Sequence, residues 1–280
     1  MDNLKAKVYE LRKDAVDIIM SGKSGHIGGD MSVMDILAVL YFKIMNVSPE
    51  HADDPDRDKF VLSKGHSMEA YYAVLCARGF MDIEEVKRKF SRFGSPYIGH
   101  PNNKLPGIEV NSGSLGHGLP VSVGMALAGK MDNKSYRVYT VLGDGELAEG
   151  SVWEGVMAAS QYHLDNLCAI VDRNRLQISG CTEDVMGHEN LSERFGSFGW
   201  HVISADGNDT DSLLKAFKEA EEKKGQPSVI IAGTIKGYGS QVMENKANWH
   251  HKVPTQEEYN QIIKDFAMRK EAVLHEYNSK

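Results

Sequence analysis

The fold prediction rests on residues 137–180, which read RVYTVLGDGELAEGSVWEGVMAASQYHLDNLCAIVDRNRLQISG. One apolar run ends at Gly143-Asp144-Gly145, a helical pattern follows, and a second apolar run ends at Asp172-Arg173-Asn174. The 30 residues from Asp144 to Asn174 match one strand–helix–strand unit, and such a crossover makes the two strands parallel. Asp144 and Asn174 are therefore expected at the same carboxyl edge of a sheet, where α/β proteins bind ligands.

The residues at this edge favour a metal-bound diphosphate. Carboxylate and amide oxygens, as on Asp144 and Asn174, suit Mg²⁺ or Ca²⁺, and such ions usually keep positions free for water and phosphate oxygens. The helix that follows Gly145 directs its unpaired N–H groups toward the same place, which favours a phosphate. The alternative is that GDG forms only a turn and Asn174 caps the next loop, because Asp-Gly turns are common.

The rest of the chain alternates between helical and strand patterns. Apolar residues at helical spacing predict an amphipathic helix over residues 3–21, which Gly22 can end. Ser32 is expected to cap a second, strongly apolar helix. Further helices are expected near 66–78, 120–131, 151–162, 189–198 and 210–223 and at the end of the chain. Strands are expected at 60–63, 137–143, 167–173, 200–205 and 227–234.

This alternation predicts an α/β fold with a mostly parallel sheet flanked by helices. Neither an internal repeat nor a Pro/Ser-rich linker interrupts the sequence, so residues 1–280 are expected to form a single domain with a helical N-terminal lead-in. Two long segments, 91–116 and 235–254, show no clear helix or strand pattern. Segments of this length are uncommon in compact domains and are usually functional.

The composition is that of an ordinary globular protein. Hydrophobic residues make up 41% of the chain and charged residues 25%, and the formal net charge of −7 disfavours nucleic acid or an anionic membrane as a partner. The sequence contains neither a membrane-spanning apolar run nor a signal-peptide pattern. Three cysteines without a CxxC motif indicate a reducing compartment, so a cytoplasmic location is predicted.

The GDG motif followed about thirty residues later by Asn is the signature of thiamine-diphosphate enzymes, and other motifs narrow the resemblance. In order, they are GHIGGD (25–30), DRDKFVLSKGH (56–66), GHP (99–101), SGSLGHG (112–118), GDGELAEG (143–150), TIKGYGS (234–240) and ENKANWHH (244–251). This is the order found in transketolases. Over nearly its whole length the chain resembles the diphosphate-binding half of a transketolase, which implies the thiamine-diphosphate-binding fold.

The resemblance implies a cofactor site for thiamine diphosphate and Mg²⁺, for which Ca²⁺ or Mn²⁺ can substitute. The implied metal ligands are the side chains of Asp144 and Asn174 and the main-chain carbonyl of Leu176. The implied cofactor-binding residues are Gly145 and the Glu146 amide at the diphosphate, His66 and His250 at the phosphates and the reacting centre, and Gly113 and Leu115 beside the aminopyrimidine ring. Lys236 could contact a cofactor phosphate or only solvent, and the cofactor is preferred.

The resemblance also implies the residues that serve the sugar. His26 and His100 match histidines that face the carbonyl and hydroxyl groups of the ketose, and His250 is counted with them as catalytic. Histidine suits this chemistry, because it exchanges protons near neutral pH and can stabilise an alkoxide while the cofactor serves as electron sink. Glu149, also counted as catalytic, and Glu154 match carboxylates of the family's dimer interface that relay protons between sites.

Two positions depart from the family pattern. His117 stands where full-length transketolases usually have Gln, so that contact is left open. His251 stands where Gly usually follows the histidine, so either His250 or His251 is the functional one, with His250 preferred because it completes the Trp-His pair.

The leading hypothesis is therefore the N-terminal subunit of a split transketolase. It would transfer a two-carbon ketol unit between sugar phosphates, together with a second chain that carries the pyrimidine domain and its activating glutamate, as a heterotetramer. The sugar is left open between pentose phosphates, an unusual sugar phosphate and a sulfosugar. Two alternatives are the α subunit of a 2-oxoacid dehydrogenase, which shares the GDG…N signature, and a non-catalytic binding subunit.

Overall fold

A five-stranded parallel sheet forms the centre of the computed structural model, which describes residues 3–279. Its strands are β1 (Lys59–Leu62), β2 (Val138–Gly143), β3 (Leu167–Arg173), β6 (His201–Asp206) and β7 (Ser228–Gly233). Across the sheet they lie in the order β1-β2-β3-β7-β6, and each neighbouring pair is parallel. Two short strands, β4 (Leu176–Gln177) and β5 (Gly180–Cys181), form a separate antiparallel hairpin.

Helices cover both faces of the sheet. They are α1 (Leu4–Gly22), α2 (Ile27–Val39), α3 (Met68–Ala77), α4 (Ile83–Lys89), α5 (Gly118–Met131), α6 (Gly150–Gln161), α7 (Thr182–Met186), α8 (Leu191–Ser197), α9 (Thr210–Glu222) and α10 (Gln256–Asn278). Among residues 3–279, no helix combines the length and apolar character that crossing a membrane requires.

Two hydrophobic cores lie on opposite faces of the sheet. The first packs α1, α2, α3, α9 and α10 against one face, and the second packs α5, α6 and α8 against the other. Along β2, Tyr139 and Val141 join the first core, whereas Val138 and Leu142 join the second. The side chains of β2 alternate between the two faces, as in any strand, so a strand buried on both faces reads as a continuous apolar run.

The structure confirms the α/β fold and the unit on which the prediction rests. β2 and β3 are adjacent and parallel, with Gly143 opposite Asp172. Asp144 and Asn174 therefore follow neighbouring strand ends at one edge. The two predicted irregular segments are also confirmed, apart from a short 3₁₀ turn at Ala247–Trp249. The sequence analysis did not anticipate the short elements α4, α7, β4 and β5.

The prediction that Ser32 caps the second helix is wrong. The helix α2 begins at Ile27 with His26 as its N-cap, and every residue of it is buried. Two glycines, Gly28 and Gly29, lie within the first turn of this helix. Packing explains the first of the two, since a Cβ on Gly28 would lie 2.6 Å from the carbonyl oxygen of Trp249. Ser32 instead donates a hydrogen bond to Asp172 at the end of β3 (2.6 Å).

The first helix ends as predicted at Gly22, although not through a left-handed glycine. The left-handed residue is Lys23, with φ of 51°. Gly22 is required by packing, since a Cβ there would lie 2.3 Å from a ring carbon of Phe90.

Candidate functional site

A cavity of about 320 Å³ opens at the carboxyl edge of β2 and β3. Its wall includes eleven residues that the sequence analysis assigned to the cofactor, metal or sugar, namely His26, His66, Gly113, Leu115, Asp144, Gly145, Glu146, Asn174, Leu176, Lys236 and His250. A wider groove of about 550 Å³ lies between the 241–242 segment and α10, but no histidine lines it. The roles assigned to the cavity residues stay predictions, but the fold brings the residues together from separate segments of the chain.

Asp144 contributes the anionic side of the cavity. Its Oδ2 accepts hydrogen bonds from the backbone N–H of Arg175 (2.6 Å) and from the guanidinium of Arg173 (3.1 Å), and its Oδ1 accepts from Gly145 N–H (2.9 Å). Burial, followed by the charge of Asp172, raises the pKa of Asp144, against the opposing effect of the two arginine contacts.

The donor set beside Asp144 fits a hard divalent cation. It consists of the Asp144 carboxylate, the Asn174 amide oxygen and the Leu176 carbonyl, from three residues that line the cavity. Mixed oxygen donors of this kind suit Mg²⁺ with water and phosphate oxygens in the remaining positions. Among residues 3–279, no group of three or more His, Cys, Asp or Glu side chains is arranged to hold a metal.

Two buried lysines supply positive charge to the same cavity. Lys64 donates to Asp172 and to the carbonyl of Gly29, and Lys236 donates to the carbonyl of Leu176 (2.9 Å) and to Nδ1 of His250 (2.9 Å). Burial, together with the charge of Lys64, lowers the pKa of Lys236 to about 8. An anionic ligand would offset the repulsion between Lys64 and Lys236. The cavity therefore favours the binding of phosphate oxygens.

Five histidines form a cluster at the cavity. The ring of His26 lies 5.3 Å from that of His66, 6.1 Å from His100, 5.9 Å from His250 and 4.6 Å from His251, measured between centroids. Burial, with the neighbouring positive charges, lowers the pKa of His26 to about 4 and that of His250 to about 3, and places the pKa of His66 well below its usual value.

The histidines His26, His66 and His250 are therefore neutral near pH 7, with one donor and one acceptor nitrogen each. In His250 the assignment follows from its partner. The ammonium of Lys236 can only donate, so Nδ1 of His250 accepts and the ring proton is on Nε2.

The structure places the two histidines of the WHH motif differently. His250 lines the cavity and contacts Lys236, whereas His251 is exposed and lies against His26 outside the cavity wall. This arrangement favours His250 as the residue near a bound cofactor.

Other predicted residues lie outside the cavity wall. His100 packs against the loop that contains Gly113, since a Cβ on Gly113 would lie 2.3 Å from its ring. Glu149 and Glu154 are exposed on the surface around the start of α6, and His117 is exposed at the N-terminus of α5. The interface roles predicted for the two glutamates stay predictions.

The sequence analysis missed two groups. Only the amide of Glu146 was predicted, whereas the buried carboxylate accepts hydrogen bonds from Ser63 Oγ, Gly116 N–H and Gly143 N–H and so joins two loops to the end of β2. Burial raises the pKa of Glu146, although these hydrogen bonds oppose the shift. The second group is Lys64, which lies in the SKGH motif and received no role. Lys64 lies two residues before His66, a candidate phosphate-contacting histidine, and this spacing could have indicated a role for Lys64 at the site.

The family comparison agrees with this geometry. The matching family description, "Transketolase, thiamine diphosphate binding domain", covers residues 4–276. The chain is 46% identical over 280 residues to a protein of Phocaeicola vulgatus that is named as a subunit of apulose-4-phosphate transketolase, covering all of this chain and 99% of that protein. It is 38% identical to the 6-deoxy-6-sulfo-D-fructose transketolase subunit SqwG of a Clostridium species, covering 93% of this chain and 95% of that protein.

Longer relatives extend beyond the matched region. Human transketolase is 41% identical over 263 residues, which cover 94% of this chain and 42% of the human protein. The solved transketolase from Campylobacter jejuni superposes with a TM-score of 0.90 at 28% identity, covering 95% of this chain and 43% of that one. The transketolase from Leishmania mexicana gives a TM-score of 0.85 at 28% identity, covering 100% and 46%. The chain thus spans less than half the length of these enzymes.

Proposed function

Because this chain belongs to the transketolase family and matches its thiamine diphosphate binding domain, we propose that it forms the diphosphate-binding half of a thiamine-diphosphate-dependent ketol transferase. The observation that carries the proposal is one cavity that gathers the oxygens of Asp144, Asn174 and Leu176, the ammonium of Lys236 and a cluster of neutral histidines. We further propose that residues 1–280 form one domain, since both cores share one sheet.

The cofactor would be held at its diphosphate end. Mg²⁺ would bind to the oxygens of Asp144, Asn174 and Leu176, while His66 and Lys236 would contact phosphate oxygens beside Gly145. When bound, thiamine diphosphate supplies the electron sink for cleaving and forming the carbon–carbon bond of a ketose. Gly113 and Leu115, on the loop after residue 111, would lie beside the aminopyrimidine ring.

The neutral histidines would serve the sugar. His26 and His100 would donate and accept hydrogen bonds at the carbonyl and hydroxyl groups of the ketose. His250, with its proton on Nε2, would donate a hydrogen bond to an oxygen that gains negative charge during the reaction. Because burial keeps these rings uncharged, each presents one N–H donor and one acceptor nitrogen at neutral pH.

A second chain would complete the active site. Relatives that this chain matches from end to end are named subunits, and full-length transketolases are more than twice as long as the matched region. We propose a partner that carries the pyrimidine domain with its activating glutamate, in a heterotetramer whose interface includes Glu149 and Glu154. A cytoplasmic location agrees with the free thiols of Cys76, Cys168 and Cys181.

The substrates would be a ketose donor and an aldose acceptor that bear a phosphate or a similar anion. Relatives are named for apulose 4-phosphate and for 6-deoxy-6-sulfo-D-fructose, so a panel of donors should include both alongside ketopentose and ketohexose phosphates.

The test is to copurify this chain with the product of an adjacent reading frame that encodes a pyrimidine domain. We expect Mg²⁺-dependent binding of thiamine diphosphate and transfer of a two-carbon unit from at least one donor, both lost in Asp144→Ala. Decarboxylation of pyruvate without ketol transfer would instead support a 2-oxoacid dehydrogenase. Failure of the complex to bind the cofactor would support a non-catalytic subunit.

A further inference from the structure

Two acidic side chains lie buried behind the histidine cluster. Asp30, in the first turn of α2, and Glu69, in the first turn of α3, both have 0% exposure. Asp30 Oδ1 accepts a hydrogen bond from the backbone N–H of Ala70 (3.0 Å). Within the described part of the chain, Asp30 Oδ2 and both carboxyl oxygens of Glu69 have no hydrogen-bond partner. Such groups are costly to bury, so their retention calls for an explanation.

The Glu69 carboxyl lies close to the two segments that carry the sugar-facing histidines. Its Oε1 lies 3.0 Å from the position that a Cβ of Gly25 would take and 3.7 Å from that of Gly99. Gly25 immediately precedes His26 and Gly99 immediately precedes His100. One carboxyl group therefore faces the glycine that precedes each of the two histidines.

The charge environment prevents both acids from ionising together. The cation that favours the charged form of Asp30 is Lys64, and its ammonium is already paired with Asp172. Burial, followed by the neighbouring charge of Asp30, raises the pKa of Glu69 well above its usual value, and burial likewise raises the pKa of Asp30. Two neighbouring buried carboxyl groups can share a proton, and the protonated one becomes a hydrogen-bond donor.

We propose that Asp30 and Glu69 form a proton-sharing acid pair that positions the Gly25-His26 and Gly99-His100 segments for the ketose. The shared proton, held between Asp30 Oδ2 and one oxygen of Glu69, satisfies two of the three orphaned oxygens. These are positioning residues, since they act through the backbone of the two histidine segments. The assignment of His26 and His100 to the ketose rests on the proposed function, whereas the acid pair itself does not.

The shared proton can be tested without any assay of activity. Infrared difference spectra of the full chain at pH 7 should show the carbonyl band of a protonated carboxylic acid, and Glu69→Gln should remove it. Glu84→Gln is the matched control, because Glu84 is a surface residue paired with Lys87 and its substitution should leave the band unchanged. A spectrum in which Glu69→Gln removes no such band overturns the proposal.

The positioning role is tested on the complex with the partner chain. Glu69→Gln keeps a neutral hydrogen-bonding group and should retain kcat/KM for the ketose donor within about threefold. Glu69→Met keeps the length but no polar atom. It should lower kcat/KM by about tenfold or more, mainly through KM, because misplacing a contact by ~1 Å can cost up to ~100-fold.

The affinity for thiamine diphosphate should stay unchanged in both variants, since the pair lies behind the sugar side. Should Glu69→Met fail to assemble, Glu69→Asp withdraws the carboxyl from both glycines and should raise the donor KM in the same way. Wild-type kinetics in the Met or Asp variant that assembles, or an equal loss of cofactor affinity, would overturn the positioning role. Absence of ketol transfer in the wild-type complex would refute the proposed function and leave the infrared result to decide the acid pair.

Discussion

At the residue scale, Lys236 is the lysine that we propose contacts a bound diphosphate. Its ammonium joins the Leu176 carbonyl to His250, and it lines the cavity. Lys236→Met should weaken the binding of thiamine diphosphate to the complex by about 10- to 100-fold, since a hydrogen bond to a charged group contributes about 1.5–3 kcal/mol. Isothermal titration calorimetry measures this affinity.

The control for this change is Lys246→Met. Lys246 donates only to backbone carbonyls of Gln241 and Val242 and does not line the cavity, so the affinity of this variant should match the wild type. Equal losses in the two variants would show that Lys236 acts through general charge and not through contact.

His26 should make the protein sensitive to acid. Burial lowers its pKa from 6.5 to about 4, so between these pH values the unfolded chain binds a proton that the folded chain does not. The free energy of unfolding should therefore fall as pH decreases from 6.5 to 4. Urea titrations at several pH values should show a shallower decline in His26→Gln than in the wild type. A parallel decline in both would contradict the assignment.

The sequence predicts individual site residues unevenly. Asp144 and Asn174 follow from spacing alone, because a strand–helix–strand unit of fixed length brings its strand ends together. The Glu146 carboxylate does not, because its partners Ser63 and Gly116 come from loops far away in the chain, and only the folded sheet brings them together. The Asp30–Glu69 pair cannot be predicted from the sequence for the same reason, because its two residues come from different helices.

At the element scale, the glycines of α2 are packing residues. A Cβ on Gly28 would lie 2.6 Å from the Trp249 carbonyl, next to His250. Gly28→Ala should destabilise the chain by about 1–3 kcal/mol, as overpacking does, despite the better helix propensity of alanine. The measurement is the free energy of unfolding in urea.

Gly124→Ala is the matched control for this change. Gly124 lies within α5, and a Cβ there would have no neighbour within 4 Å. This substitution should leave stability unchanged or raise it by about 0.5–1 kcal/mol. If both glycine variants behave alike, close packing against Trp249 is not the reason for Gly28.

The element predictions fail where periodicity is absent. All 13 residues of α2 are buried, so the helix shows no polar face from which its start could be identified, and Ser32 was mistaken for a cap. The boundaries of β3, by contrast, match the predicted run of seven residues, since the apolar run is bounded by polar residues on both sides.

At the scale of the whole molecule, the sequence predicts the strands but not their order. The last strand in the chain, β7, lies between β3 and β6. Both β6 and β7 are short apolar runs, and their sequences do not indicate which strand each one pairs with. The pairing depends on how α8 and α9 pack on opposite faces of the sheet. The site was unaffected, since it forms at the ends of β2 and β3, whose adjacency follows from one crossover.

From the size of the cavity we expect the isolated chain to have little ketol-transfer activity. Pockets of about 300–1,000 Å³ usually bury most of a ligand, and the 320 Å³ here is at the lower end of that range, enough for the diphosphate end of the cofactor. We expect thiamine diphosphate with Mg²⁺ to raise the melting temperature of the complex with the partner chain by several degrees and that of the isolated chain by far less, because stabilisation follows affinity.

Ketol transfer by the isolated chain should stay at background and appear on addition of the partner. The same titration with Asp144→Ala should show no stabilisation in either state, and substantial transfer by the purified wild-type chain without a partner would refute the two-chain active site.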